Sequence, residues 1–262
     1  MNILEIRSCK EQSRKLAMVT CYDYWSAKIL SESRVDMILV GDSGAMIMQG
    51  YEDTIPATVE LMATFVAAVK RGAPKKFIVA DLPFLAFRSD LATNIRGVQT
   101  LMQAGAQAVK LEGYDGNHEF IRHLVESGVP VMGHLGLTPQ SVNSLGGFRV
   151  QGRSEEQGKK ILEQARGLEK AGCFSVVLEC VPGDLASEIT STLKISTIGI
   201  GAGLGCDGQV LVLHDLLGLN QGFKPKFLRQ YLDGTQLIRS AVEAYCADVG
   251  EGKFPSAGET YD

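Results

Sequence analysis

Four carboxylates stand where an apolar, β-branched run gives out: Asp42 after MILVG, Asp81 after FIVA, Glu112 after AVKL and Glu179 after SVVL. Burying an unpaired charge is costly, so an acid in that position is either a strand reaching solvent or a group with a function. Singly, each has an ordinary explanation. Asp81 precedes Leu82-Pro83 and could shape a turn, Asp42 before Ser43 could cap a helix, and Glu179 could simply have surfaced. Taken together they predict one acidic rim, if their strands are neighbours. Like charges on one rim repel, so a counter-charge is expected. A divalent cation held by oxygens would serve, and Mg2+ takes about one or two carboxylates plus waters and substrate oxygens. Lys110, two residues before Glu112 on the same strand face, offers a second counter-charge. His134, between Val131-Met132 and Gly136, reads as a structural histidine or as a support standing behind the acids. His214, beside Asp215, reads as the cap of the last helix.

The elements that would position these residues alternate along the whole chain. Strand-like runs fall at 16–20, 36–41, 77–81, 107–112, 129–134, 174–179, 196–201 and 210–214. Several are apolar nearly throughout, as parallel strands covered on both faces should be. Between them lie amphipathic helices. Thr58, Asp90, Asn117, Ser154 and Asp184 sit where N-caps belong, and Ser154 with Gln157 forms a capping box. Gly72, Gly105, Gly128 and Gly172 sit where a glycine turns the chain out of a helix. Leu91, Ile95, Val98, Leu101 and Met102 share one helical face. Eight strand–helix repeats in roughly 250 residues predict an α/β protein, a single-domain (β/α)8 TIM barrel. It spans 1–262, with an N-terminal extension and a polar C-terminal tail or docking arm from about 247. A doubly wound open sheet is the competing architecture.

Composition narrows the function. With 45% hydrophobic and 21% charged residues the chain is an ordinary globular one, and its net charge of −4 argues against nucleic acid as the main partner. The six cysteines show no CxxC spacing, which predicts reduced thiols and a cytoplasmic location. No signal peptide is legible at the N-terminus, and no apolar run approaches the roughly 18 residues of a membrane span. GIGAGLG at 199–205 lacks the GxGxxG spacing of a dinucleotide fingerprint, because Leu204 and Cys206 occupy the required glycine positions. Its glycines are expected to let backbone approach a ligand after the seventh strand. The long glycine-rich stretch 133–152 reads as a lid or binding loop.

From about residue 16 to 256 the chain resembles the ketopantoate hydroxymethyltransferase (3-methyl-2-oxobutanoate hydroxymethyltransferase) family. The likeness rests on MVTCYDYWSA, ILVGDS, DTIPAT, VADLPF, AVKLEG, PVMGHLGLTPQSV, GGFRVQG, VVLECVP and TIGIGAGLGCDGQVLV. It implies a (β/α)8 barrel that uses Mg2+ and 5,10-methylenetetrahydrofolate to convert 3-methyl-2-oxobutanoate into 2-dehydropantoate, for pantothenate and coenzyme A synthesis. Carried over, Asp42 and Asp81 resemble metal ligands, with Glu112 completing the site directly or through water. Asp42, Ser43, Asp81 and Lys110 resemble the contacts to the oxo acid, and Glu179 resembles the general base. The resemblance further implies a homo-oligomer, a decamer in many bacteria. Two departures stand out: GDSGAM at 41–46, where the family usually reads GDSLGM, and Ala57, where Val is usual. The first is expected to loosen the loop beside Asp42 and Ser43.

Three other readings use the same residues. A related Mg-dependent barrel that makes or breaks C–C or C–P bonds on oxo acids would need no folate. A glycosidase could use two strand-end carboxylates, but one Trp and 7% aromatics give little surface for stacking sugars. A catalytically weakened oxo-acid-binding paralogue would bind without turning over.

Overall fold

A computed structural model describes residues 1–222 and 224–261. Eight parallel strands close into a barrel in chain order: β1 Leu16–Thr20, β2 Met37–Val40, β3 Phe77–Asp81, β4 Ala108–Glu112, β5 Val131–Gly136, β6 Ser175–Glu179, β7 Ser196–Ile200 and β8 Gly208–Leu211. Closure comes from β8 pairing with β1, Leu16 opposite Gly208. The open-sheet alternative is thereby excluded. The last strand lies a little earlier than the predicted 210–214, and His214 sits inside the short helix Leu213–Leu216 rather than capping one.

Side chains alternate between the two faces of a strand, and here the alternation builds a layered interior. Leu16 and Met18 of β1, Met37 and Leu39 of β2, Phe77 and Val79 of β3, Ala108, Met132, Val177, Ile198 and Val210 form one apolar cluster. Continuing the same period of two towards the strand ends brings Asp81, Lys110, Glu112, His134 and Glu179 to the inner face. The cluster is closed by the N-terminal helix Ile3–Glu11, which contributes Ile6 and Cys9. Lys10 fixes that helix, 2.7 Å from Asp207 and 2.8 Å from the Thr190 carbonyl. The barrel is thus filled with hydrocarbon below and charge above.

Most of the predicted helix signals hold. Thr58, Asp90 and Ser154 accept backbone N–H bonds from Leu61, Thr93 and Gln157. Gly105, Gly128 and Gly172 take the left-handed conformation just past helix ends. Five details differ. The Ser154–Gln157 box is half formed: Ser154 accepts from the Gln157 N–H, with no return bond from the Gln157 side chain. Asn117 makes no side-chain cap, because its amide donates backwards to the Glu112 and Gly113 carbonyls. Asp184 lies inside the first turn of helix Gly183–Thr192. Gly72 is the last residue of helix Val59–Gly72, where a Cβ would strike the Tyr24 carbonyl and Ala27. The buried face of helix Leu91–Ala104 is Asn94, Gly97, Val98 and Leu101, while Leu91 is exposed.

The chain divides into two compact units, Met1–Val212, which holds the whole barrel, and Leu213–Asp262. The second unit contains helices Leu213–Leu216 and Gly234–Gly250 and a 3-10 turn at Ala257–Glu259, so residues 247–250 of the expected tail are helical. All six cysteines are free, and no helix among the described residues is long and apolar enough to cross a membrane.

The GDSGAM departure has a packing reason. A Cβ at Gly44 would come within 2.7 Å of the Phe65 ring and 2.9 Å of the Tyr22 ring. Both rings are buried, and they pack edge to face with centroids 6.0 Å apart. Ala45 is fully buried as well. The loop is therefore tightly filled rather than loosened, with aromatic rings occupying the space next to position 44. Gly44→Leu, which restores the usual family residue, should lower stability by about 1–3 kcal/mol through overpacking. Denaturant unfolding checks this, and an unchanged midpoint would mean that Phe65 swings aside freely.

Candidate active site

The ladder sets the acids against their counter-charges. Asp81 of β3 pairs with Lys110 of β4, and Glu112 pairs with His134 of β5. Lys110 Nζ stands 3.0 Å from Asp81 Oδ1 and 3.2 Å from His134 Nδ1. His134 Nδ1 lies 3.5 Å from Glu112 Oε1, and its Nε2 lies 3.2 Å from Glu179 Oε2. Asp42, just past β2, enters the same cluster: its backbone N–H donates to Asp81 Oδ2 at 3.1 Å. All four predicted acids, together with Lys110 and His134, therefore meet at the C-terminal mouth of the barrel. Glu179 has a cation partner, His134, which its sequence context did not suggest.

Burial sharpens every charge in the cluster. The Asp81 and Lys110 side chains are 3% and 4% exposed, and those of Glu112 and His134 are 4% and 3%. Loss of hydration and repulsion from Asp81 and Glu112 push the Asp42 carboxyl well above its ordinary range. Burial also raises Asp81, against the opposing pull of Lys110. Burial works to lower Lys110, yet the fields of Asp81, Glu112 and Asp42 prevail and raise it. For His134, burial and Lys110 lower the pKa, but its two carboxylate neighbours overcome them and push it up to about 9. If all these groups ionise, four carboxylates face two cations, and two negative charges are left over.

That excess bears on metal binding. Among the described residues no three His, Cys, Asp or Glu side chains converge as a complete metal cage. One oxygen of each buried acid is nevertheless tethered: Asp81 Oδ2 to the Asp42 N–H, Glu112 Oε2 to the Gln140 N–H, and Asp42 Oδ2 to the Gln140 amide. Asp81 Oδ1 and Glu112 Oε1 are buried and face the ion-pair partners Lys110 and His134, not a backbone or amide donor. Carboxylate oxygens held by ion pairs and not by backbone donors suit a divalent cation that keeps water or substrate oxygens in its shell. The donor set fits Mg2+ in that form.

Asp42 is neither a helix cap nor a surface acid. The cap position of helix Gly44–Gln49 belongs to Ser43, whose hydroxyl makes no cap bond and instead lies 2.8 Å from the Tyr22 hydroxyl. Tyr22 is buried, and loss of hydration raises its pKa. It is a site residue that charge-based reading misses. Gln140 is another: a neutral residue in the 133–152 stretch, on a single 3-10 turn, Pro139–Ser141. Beyond that turn the stretch opens to solvent, with Phe148 and Val150 exposed.

The strand ends are held by close backbone contacts. Gly136 takes φ +92, and a Cβ there would collide with the Glu179 carbonyl, which accepts from the Leu137 N–H at 2.8 Å. Directly after Glu179, Cys180 adopts φ +48, a left-handed conformation costing about 1–3 kcal/mol for a residue with a side chain. The reversal lets its N–H reach the Ile200 carbonyl and its carbonyl accept from Gln151, both at 2.9 Å. The 199–205 glycines meet the chain's own atoms: Gly203 approaches Gly183, and Gly205 packs on Ser187. Close helix packing accounts for these two.

Comparison with known proteins agrees with this geometry. A family model described as ketopantoate hydroxymethyltransferase matches residues 1–257. The 3-methyl-2-oxobutanoate hydroxymethyltransferase of Bdellovibrio bacteriovorus is 58% identical over 259 residues, 99% of this chain and 98% of that protein. Its counterpart in Coxiella burnetii is 55% identical, covering 97% of this chain and 96% of the other. Among solved structures, phosphonopyruvate hydrolase complexed with oxalate and Mg2+ superposes with a TM-score of 0.64, over 99% of this chain and 93% of that one. At 10% identity that likeness shows the shared barrel alone. With a family model matched over 1–257 and relatives 55–58% identical over nearly the full length, the chain belongs to the ketopantoate hydroxymethyltransferase family.

Proposed function

We propose that the barrel mouth transfers a one-carbon unit from 5,10-methylenetetrahydrofolate to 3-methyl-2-oxobutanoate, giving 2-dehydropantoate, with Mg2+ held by Asp42 and Asp81 and, directly or through water, by Glu112. The observation carrying this reading is the convergence of Asp42, Asp81 and Glu112, buried around Lys110, with Asp81 Oδ1 and Glu112 Oε1 facing ion-pair partners and not backbone or amide donors. When bound, Mg2+ supplies positive charge next to the oxo acid's oxygens and so acidifies its C3–H.

The chain's own groups do the rest. Lys110, charged and buried, holds the substrate's negative oxygens in a site of low dielectric, where such contacts count most. Ser43, fixed by Tyr22, offers a hydroxyl to the same anion. Glu179 takes the proton from C3; its side chain is 18% exposed, more open to the mouth than the acids beneath it. His134 spans Glu179 and Glu112, whose carboxylates raise its pKa, and it steadies both without acting as a ligand. Both bonds from the folate's methylene carbon to nitrogen then break, one replaced by a bond to the C3 carbanion and the other by a bond to the oxygen of water; the C3 proton and one water proton end on the two nitrogens as tetrahydrofolate leaves. Location in the cytoplasm belongs to the same proposal.

A homo-oligomer, decameric as the resemblance implies, is also proposed. Helix Gly234–Gly250 buries only Gly234 among its residues. Ile238, Val242, Tyr245 and Val249 repeat at helical spacing and are each about half exposed. A stripe of this kind suits a second copy of the chain.

Transfer to 3-methyl-2-oxobutanoate should require both the folate and Mg2+; turnover without folate would point to a C–C or C–P bond enzyme of the same barrel type. Glu179→Gln should slow exchange of the C3 proton with solvent by about 10²–10⁴-fold while oxo-acid binding survives, and undiminished exchange would remove Glu179 from the base role. Asp81→Ala should sharply raise the Mg2+ concentration needed for turnover, an expectation that an unchanged metal titration would refute. Val242→Asp should reduce the mass measured by sedimentation, whereas an unaltered assembly would place the interface elsewhere.

A further inference from the structure

Gln140 is 5% exposed and bonded to the ends of three strands at once. Its side-chain Nε2 donates to Asp42 Oδ2 at 2.7 Å and to the Leu82 carbonyl at 2.9 Å. Its backbone N–H donates to Glu112 Oε2 at 3.0 Å. Asp42 follows β2, Leu82 follows β3, and Glu112 ends β4, while Gln140 itself follows β5. The amide orientation is fixed by chemistry, since both neighbours of Nε2 are acceptors and the amide oxygen would be repelled by each.

We infer that Gln140 is the positioning residue of the acid cluster, its side chain fixing the rotamer of Asp42 while its backbone fixes Glu112. The inference rests on the proposed Mg2+-dependent transfer and adds to it a neutral residue with no charge to announce it. Neutrality is the point. A lysine or arginine in this place would cancel the excess negative charge that the cluster holds for a cation. A glutamate of the same length would set an acceptor against a carboxylate and a carbonyl. Only an amide satisfies one oxygen of Asp42 without neutralising it, leaving the other carboxylate oxygens of the cluster to their partners. Because Gln140 sits at the root of the exposed 142–152 stretch, the same bonds anchor that stretch to the acids.

The test uses the full chain, wild type against Gln140→Met, which keeps the length and removes the donor. Thermal unfolding, turnover kinetics and Mg2+ binding by calorimetry are measured on each. Misplacing Asp42 should lower kcat by about 10²-fold and weaken Mg2+ binding in protein that is still folded. Gln140→Glu should be worse on both counts. If Gln140→Met does not fold, Gln140→Asn, which retains an amide too short to span both acceptors, is measured instead, with the same losses expected. Wild-type kcat and Mg2+ affinity in the folded variant would overturn the inference and leave Gln140 as a loop anchor only. Should the wild type itself fail to transfer the one-carbon unit, the proposed reaction falls, while calorimetry still decides whether Gln140 sets the acids.

Discussion

Three carboxylates shut away from water within reach of one another cannot all be charged unless something opposes them, and in this barrel that something is first of all Lys110. Its ammonium, 3.0 Å from Asp81, lies in the field of Asp42 and Glu112 as well. A buried lysine alone would tend to lose its proton; here the acids hold the proton on, and the lysine in turn lowers the cost of their charge. Breaking one member of such a set leaves the rest uncompensated, an effect worth about 3–5 kcal/mol for a buried pair. The mutual dependence explains why the cluster sits on adjacent strands of a closed barrel. Only a rigid ladder keeps Asp81 opposite Lys110 and Glu112 opposite His134.

The apolar layers beneath serve the same end. Met18, Val79, Met132 and Val177 belong to the buried apolar cluster beneath the acids. Helix Ile3–Glu11 completes the seal through Ile6 and Cys9. Low dielectric strengthens each pairing and each repulsion alike. Acids ionised in such surroundings would attract a divalent cation strongly, while the same charges at the surface would be screened.

Much of this was legible in the residues. Parallel strands buried on both faces must be nearly continuous apolar runs, so all eight strands are readable, and so are the acids that interrupt their ends. What the sequence hid was whatever depends on shape rather than charge. Gln140 and Tyr22 carry no formal charge at neutral pH and lie outside the strands, so neither periodicity nor charge could mark them. Asn117 stands at a cap position, yet its amide serves the strand end behind it, Nδ2 donating to the Glu112 and Gly113 carbonyls. Gly44 looked like a loss of packing because the side chains that fill its place, Tyr22 and Phe65, come from distant parts of the chain.

Glu179 shows how an apolar strand can end in an acid without being an accident of exposure. Val177 faces the hydrophobic interior, and the next inward position is Glu179, so the carboxylate is delivered to the mouth by the alternation of β6 itself. Cys180 then reverses the backbone, which stops the strand there and keeps the acid from advancing further into solvent. The residue differs from its three neighbours in one respect that matters for a base. It is tied only to His134, on one oxygen and at 3.2 Å, and is several times more exposed than Glu112. Asp42, Asp81 and Glu112 have oxygens fastened by backbone or amide donors and are fixed in place. Of the four acids, Glu179 is the most exposed and the least fastened, as its proposed role as base requires, while the fold holds Asp42, Asp81 and Glu112 rigid.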